Sequence, residues 1–478
     1  MASHQTLASR YDAALATLQG RGQNHVVRWW DELGVRDKEH LLGQIEAVPW
    51  DVLDRLIPTH VQSEPHGRIP TDLRPAPVFP STPNGDQEKL YATASQRGRE
   101  LIAAGKVAAF TVAGGQGTRL GFDGPKGALP VTPIGGQTLF ELFADSIQAA
   151  RRAFDCSIPW YVMTSQANHQ ATVRFFEEHD YFGLPEEDVA LFEQGMLPAL
   201  DFKGRLLLDR KDGLALAPDG HGGSLKALAR SGALSDARQR GCSILSYFQV
   251  DNPLVKPFDP LFIGLHASTG SEMSTKVTRK ADDLERVGNL CLADGRLTVI
   301  EYTEFPQHLA GQKNPDGRRT FDAGNIAIHL LDVSFVERLV AESLDLPFRR
   351  AEKVVPYIDE SGRRVEPDKP NAVKLEKFVF DALPLAKNPL VLEVERAEEF
   401  SPIKNAAGVD SLETAQRAQI ARACRWLESA GVAIPRKSDG TPDVTIEIAP
   451  SFALDAGEIQ SKRDRLPLLR PGGSFYLQ

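Results

Sequence analysis

Residues 107–121 read VAAFTVAGGQGTRLG, an apolar run of strand length that passes directly into a loop holding Gly114, Gly115, Gly117 and Gly121. A short continuous apolar run fits a strand buried on both faces, which belongs at the centre of a helix-covered parallel sheet. Glycines at the end of such a strand permit positive φ and leave backbone N–H groups uncovered, so an anion can approach the main chain. The carboxyl edge of an open α/β sheet is where ligands bind. Two familiar glycine loops fail on spacing. The dinucleotide fingerprint counted from Gly115 requires glycine where Leu120 stands, and the G-K-[ST] ending of a P-loop is absent.

Apolar runs and helical patterns alternate after this strand, which predicts an α/β chain. Strands are expected at 159–165 and 244–251, and helices at 139–153 and about 168–180. Thr138 with Glu141 three residues on forms a capping box, and Leu139, Leu142, Phe143 and Ile147 share one helical face. Further strands are expected at 273–280, 297–303, 324–330 and 390–396, so the sheet is read as continuing with mixed connections. Three parts are distinguished. Residues 1–95 form a helical N-terminal region, in which Leu7, Tyr11, Ala14 and Leu18, then Val26, Val27 and Trp30, then Leu41, Leu42 and Ile45 are spaced as apolar helix faces. Its end, at 64–86, is a proline-rich linker or a strap lying across a surface. Residues 96–405 form the main domain. Residues 406–478 form a helix, Ser411 to about Ala430, followed by a small β-type region.

The net charge of -9 gives no reason to expect nucleic acid as a partner. Cys156, Cys242, Cys291 and Cys424 are too dispersed for a metal or redox motif and read as buried free thiols. No apolar stretch approaches the length of a membrane span, and the first twenty residues lack a secretory pattern, so a cytoplasmic protein is expected. The sequence leaves the oligomeric state open.

The glycine loop carries Arg119, and PKG follows with Lys126. A guanidinium fork and an ammonium together suit a triphosphate and its departing pyrophosphate. A run of glycines alone would be read as a tight turn.

These residues belong to an ordered series: AGGQGTRLG with PKG, FFEEHDYFGL (175–184), FEQGMLPAL (192–200), APDGHGG (217–223), VDNP (250–253), VIEYTE (299–304), AGNI (323–326), EKFVFD (376–381) and EEFSPIKN (398–405). In this series the chain resembles the uridylyltransferases that make nucleotide sugars, and within them the UDP-N-acetylhexosamine pyrophosphorylases. The resemblance spans roughly residues 95–430 and implies a Rossmann-like nucleotide-diphospho-sugar transferase fold with a mixed central sheet. It also implies reaction of UTP with a hexose 1-phosphate, foremost N-acetylglucosamine 1-phosphate, giving UDP-sugar and pyrophosphate with Mg2+ (or Mn2+) as cofactor.

On this resemblance Gly114, Gly115 and Gly117 lie against UTP, and Arg119 and Lys126 face its phosphates. Gln194 reads uracil, although a surface glutamine after a short strand is the alternative from the residue alone. Asp251, ending a strand at the same sheet edge, is the expected metal ligand. Glu301 and Asn325 contact the sugar, as do Gly220, His221 and Gly222 of the APDGHGG segment. Lys404 reaches the phosphates, assisted by Lys377, for which a solvated surface position is the other reading. Phe378 and Phe380 alternate on an expected strand, with Phe380 walling the sugar pocket or packing in the core. One position departs from the acetylhexosamine pattern: His221 stands where those enzymes carry asparagine, as in enzymes acting on UDP-glucose or several UDP-sugars. Acceptors other than N-acetylglucosamine 1-phosphate therefore stay open, as does a non-catalytic nucleotide-sugar-binding regulator.

Overall fold

A computed structural model describes residues 6–63, 72–342 and 346–478, and divides the chain into two compact units. The larger comprises residues 69–194, 224–345 and 380–478, and the smaller comprises 1–68, 195–223 and 346–379.

The larger unit is built on a ten-stranded mixed sheet. Its strands are β1 (Leu73–Pro75), β2 (Val107–Val112), β3 (Trp160–Thr164), β4 (Val189–Glu193), β5 (Ile244–Gln249), β6 (Met273–Arg279), β7 (Asn289–Ala293), β8 (Arg296–Ile300), β9 (Ala323–Asp332) and β10 (Leu390–Glu393). Strands β5, β2, β3 and β4 are parallel neighbours, in that order. Beyond β5 the sheet turns antiparallel through β9, which also pairs with β6 and β7. The strand that opens the glycine loop is thus central. Its alternate residues Val107 and Ala109 join a core with Leu139, Phe143 and Ile147, while Phe110, facing the other way, packs edge-on against Tyr247.

The helix Leu139–Phe154 carries the expected capping box: the Thr138 side chain accepts from the Glu141 N–H, and Glu141 accepts in return from the Thr138 N–H. Helices Gly85–Ala103 and Pro260–Ser268 cross backbone to backbone. A Cβ on Gly98 would stand 1.8 Å from the Pro260 oxygen, and one on Gly264 would stand 1.6 Å from the Ala94 oxygen. Helix Leu412–Ser429, capped by Ser411, packs with the parallel pair Val444–Ile448 and Gly473–Leu477 around Ile446, Leu427 and Ile459.

In the smaller unit, helices Leu7–Gln19, Val35–Ala47 and Trp50–Leu56 bury Leu18, Leu41, Leu42 and Leu53 against Leu200, Leu206, Val373 and Leu375. Strands Phe348–Lys353, Ala372–Lys377 and Leu200–Asp201 pair antiparallel in that order. The buried Gln23 amide ties the helices to this layer, donating to the Gly204 oxygen and accepting from the Leu206 N–H, both at 2.9 Å.

Several expectations change. The compact units do not follow linear boundaries at 95 and 405, because two later segments of chain return to complete the core around the N-terminal helices. Residues 64–71 of the proline-rich strap lie outside the described residues. The remainder joins the sheet, with β1 pairing along β7, and the Phe79 backbone bonding to Val391 and Glu393 of β10. Proline is compatible with such an edge because one side of the strand needs no donor. Val26, Val27 and Trp30 lie on short 3-10 turns rather than a helix face. Cys156 is half-buried, whereas the other three free thiols are buried. Phe378 and Phe380 are not on a strand: the strand ends at Lys377, and a 3-10 turn, Val379–Leu385, follows.

Because no rotamer can remove the clash at the helix crossing, Gly264→Ala should destabilise the fold by about 1–3 kcal/mol, read as a lowered urea midpoint. Unchanged stability would contradict the close crossing.

Candidate active site

The glycine loop is a closed structure before any ligand is considered. Gly117 N–H donates to the Gly124 oxygen at 2.9 Å, and Lys126 N–H to the Gly115 oxygen at 3.1 Å, so the chain folds back on itself and sets Lys126 beside Gly115. The buried Asn168 fastens this loop from beneath: its Nδ2 donates to the Ala113 and Gly115 oxygens at 2.9 and 3.1 Å, while its Oδ1 accepts from the Ser165 N–H and hydroxyl. The glycines differ in purpose. A Cβ on Gly114 would fall 2.4 Å from Gln194 Oε1, so the bare backbone lies against the amide of that buried side chain. At Gly117 the obstruction is Phe122, and at Gly127 of PKG it is the Phe140 ring at 2.1 Å, which makes Gly127 a packing residue.

Val250 N–H continues the β5–β2 ladder by donating to the Val112 oxygen, and the next residue is Asp251. Strand pairing thus places this carboxylate beside the start of the glycine loop, with Asp251 Oδ2 3.7 Å from Lys126 Nζ. Burial pushes the Lys126 ammonium below its ordinary range; Asp251 opposes the shift, and Lys404 and Arg119 add to it. Four sequence-identified residues, Arg119, Lys126, Asp251 and Lys404, therefore share one electrostatic environment. Arg119 is exposed and makes no ion pair among the described residues.

Lys404 is carried there by the backbone. Ile403 N–H donates to the Asp251 oxygen at 2.8 Å, and Lys404 N–H donates to the Asp410 oxygen at 2.6 Å. Sequence reasoning missed two residues behind this arrangement. Asn252, buried, donates to the Glu399 oxygen at 2.7 Å and accepts from Ser401 N–H at 3.1 Å. Lys276, with no exposed surface, is held by Asp259 at 2.7 Å and by Glu399 at 2.6 Å. Asn252 was visible only as part of a turn-forming DNP, and Lys276 only as one polar residue in a strand.

Glu301 and Asn325 come together at Gly288, whose Cβ would stand 3.2 Å from Glu301 Oε1 and 3.9 Å from Asn325 Cβ. Asn325 N–H donates to the Gly288 oxygen, and its Oδ1 accepts from Ala327 N–H. The neighbouring β6–β9 ladder slips register between Thr275 and Val277. Phe380 is buried in the turn after the 372–377 strand.

Gly220, His221, Gly222 and Lys377 belong to the smaller unit. The APDGHGG turn lies against the 377–378 backbone: a Cβ on Gly220 would meet the Lys377 oxygen at 2.4 Å, and one on Gly222 would meet Phe378 N at 2.6 Å. The His221 ring stacks on Phe378 at 5.0 Å, and its Nδ1 accepts from Val379 N–H at 3.2 Å. An accepting Nδ1 places the hydrogen of the neutral ring on Nε2. Lys377 is buried rather than solvated, with its ammonium 4.2 Å from the Phe348 ring centre.

Among the described residues no group of three His, Cys, Asp or Glu side chains is placed to hold a metal ion. A single carboxylate such as Asp251 fits Mg2+, a cation commonly held by one or two carboxylates together with substrate phosphates.

A family model described as UTP–glucose-1-phosphate uridylyltransferase matches residues 78–420. The chain belongs to this family. It is 35% identical over 458 residues to the UDP-N-acetylglucosamine pyrophosphorylase of Saccharomyces cerevisiae, covering 91% of this chain and 94% of the yeast protein. It is 41% identical over 430 residues to UDP-N-acetylhexosamine pyrophosphorylase-like protein 1 of Xenopus tropicalis, covering 86% and 83% of the two chains. The fold matches a crystal structure of the Trypanosoma brucei uridine diphosphate N-acetylglucosamine pyrophosphorylase in complex with inhibitor, with TM-score 0.82 at 24% identity over 100% of this chain and 99% of that one. The uridylyltransferase fold expected from sequence is thus the observed one, and the glycine loop, Asp251 and Lys404 all fall inside the matched span.

Asp251 is the carboxylate that raises Lys126 against its burial. In Asp251→Asn the Lys126 amine should titrate lower than in the parent, measured by the pH dependence of its labelling with an amine-reactive reagent. An unchanged or higher titration would contradict the pairing.

Proposed function

We propose that this chain is a nucleotidyltransferase that moves the uridylyl group of UTP onto a hexose 1-phosphate, foremost N-acetylglucosamine 1-phosphate, releasing pyrophosphate. The observation that carries the reading is the convergence of Arg119, Lys126, Asp251 and Lys404 at the end of the central strand pair, in a chain similar along most of its length to proteins named for this chemistry. The acceptor's phosphate oxygen attacks the α-phosphorus, a new P–O bond forms, and the bond from that phosphorus to the bridging oxygen of pyrophosphate breaks. No covalent enzyme intermediate is required, so the protein's task is to align the reactants and stabilise charge.

In this mechanism the backbone at Gly114, Gly115 and Gly117 receives the nucleotide, and the Gln194 amide, with both a donor and an acceptor, reads the uracil edge. Arg119 and Lys126 take the β- and γ-phosphates and then pyrophosphate. Lys404 neutralises charge that grows on the α-phosphate in the transition state. Asp251 would hold Mg2+, whose chemistry when bound is neutralisation of phosphate charge. Glu301 and Asn325 offer an acceptor and an amide to sugar hydroxyls, and Gly220, His221 and Gly222 a further sugar contact, with Phe380 as a wall. The buried position of Lys377 over Phe348 supports a supporting role in phosphate binding less than the position of Lys404 does. A second reading, glucose 1-phosphate or several sugars as acceptor, is favoured by His221 in place of asparagine. Among the described residues no helix is long and apolar enough to cross a membrane. The unpaired thiols support a reducing compartment, and we assign the activity to the cytoplasm.

Pyrophosphate release from UTP and Mg2+ with a panel of sugar 1-phosphates should be greatest with N-acetylglucosamine 1-phosphate; no turnover with any sugar refutes the enzyme, and a glucose preference establishes the second reading. Lys404→Met should lower kcat by about 100- to 1,000-fold, the usual loss for a transition-state charge stabiliser, with little change in UTP affinity by calorimetry. Equal losses in both would make Lys404 a ground-state ligand. His221→Asn should shift the ratio of kcat/KM between the acetylated sugar and glucose 1-phosphates, whereas a constant ratio places selectivity elsewhere.

A further inference from the structure

A cavity of about 180 Å³ opens in the larger unit between helix Leu139–Phe154, segment 253–260 and helix Leu412–Ser429. A cavity of about 150 Å³ takes up benzene, so this one has room for a small organic molecule. Its middle is apolar, lined by Leu142, Phe143, Ala423 and Leu454. Charged and polar groups share the rest of its lining.

At one wall stands Glu447, 5% exposed. Its Oε2 accepts from the N–H groups of Ile134 and Gly135 at 2.6 and 2.8 Å, whereas Oε1 is buried with no hydrogen-bond partner. Gln137 Oε1, on the same wall, also lacks one. Glu447, Asp145 and Glu141 together raise the Tyr476 hydroxyl, after the larger effect of its burial, so acidic groups gather around this wall. Acceptors left unpaired in a low-dielectric site are costly and call for a donor, best a cationic one.

The cationic groups, Arg422, Lys256 and Arg99, share the lining with Asp259, Asp455 and Glu458. Arg422 donates to the Leu254 and Glu398 oxygens at 3.0 and 3.2 Å and has no ion-pair partner among the described residues. Burial pushes it down to about 10, which still leaves it charged at neutral pH. Lys256 and the exposed Arg99 also line the cavity; Lys256 is 3.8 Å from Glu398, and Arg99 makes no ion pair among the described residues.

We propose that this cavity is an effector site for a small zwitterion, with an amine or other donor-bearing group meeting Glu447 and Gln137, an apolar body in the middle, and a carboxylate meeting Arg422 and Lys256. The route to the active site is short. Arg422 joins Leu254, three residues after Asp251, to Glu398, six residues before Lys404, so an anion that draws on its guanidinium alters the clamp between the two segments.

The test uses the unmodified protein and three probes: 4-(aminomethyl)benzoate, benzylamine and benzoate. By calorimetry the two-ended probe should bind at least about tenfold more tightly than either one-ended probe. Glu447→Gln and Arg422→Met should each reduce that preference; because Arg422→Met also gives up two backbone bonds, Lys256→Met serves as the milder variant at the same end. Equal binding of the three probes, or none, overturns the proposal without bearing on uridylyl transfer. The bound probe should also change kcat for transfer at least about twofold, and binding with unchanged turnover removes the regulatory role.

Discussion

The site depends on one pairing, the parallel ladder between Val107–Val112 and Ile244–Gln249. Its register sets Val112 opposite Gln249, so the two strands end together and release two loops at one edge of the sheet. One is the glycine loop and the other carries Asp251. The Val250 to Val112 bond then extends the ladder by one step, leaving little freedom in where the carboxylate stands relative to Lys126. A slip of one residue would turn Phe110 and Tyr247 toward the wrong face, so burial of the strand interiors also fixes the position of the charges.

Around that edge the charges do not balance. Arg119, Lys126 and Lys404 outnumber Asp251 and Asp410, the carboxylates that interact with them, and Lys126 is depressed by burial and by its cationic neighbours. Such an excess of positive charge is costly in the free protein and is relieved by a polyanion. Positions are held by buried amides rather than by the charges themselves: Asn168 grips the Ala113 and Gly115 oxygens, and Asn252 grips the chain that leads to Lys404. Neutral tethers fix the geometry without cancelling the field, which is the condition for stabilising charge in a transition state without reorganisation.

Sequence patterning revealed the elements whose periodicity is strong. Residues 107–112, 160–164 and 244–249 are strands within about two residues of the expected limits, and the Thr138–Glu141 box opens its helix as its chemistry requires. Residues that act through tertiary contact were opaque. Gly127 belongs to a motif that reads as phosphate binding, yet its missing side chain makes room for Phe140. Gly220 and Gly222 are required by the approach of the 377–378 backbone, a segment distant in sequence. Asn168 and Asn252 look like ordinary turn formers because their partners are backbone oxygens supplied by the fold. Alternation of Phe378 and Phe380 mimics period two, but the chain turns at Val379. Proline content speaks against regular structure without identifying an edge that tolerates it, such as the one at Leu73–Pro75.

On the proposed function, aligned groups at this sheet edge perform one direct displacement at the α-phosphorus. The most direct measurement is the stereochemical course with UTP bearing sulfur in place of one non-bridging oxygen at that phosphorus, as a single diastereomer, and N-acetylglucosamine 1-phosphate as acceptor. A single in-line displacement predicts inversion in the UDP-sugar formed. Retention would reveal an even number of displacements through a covalent enzyme intermediate, and would contradict it.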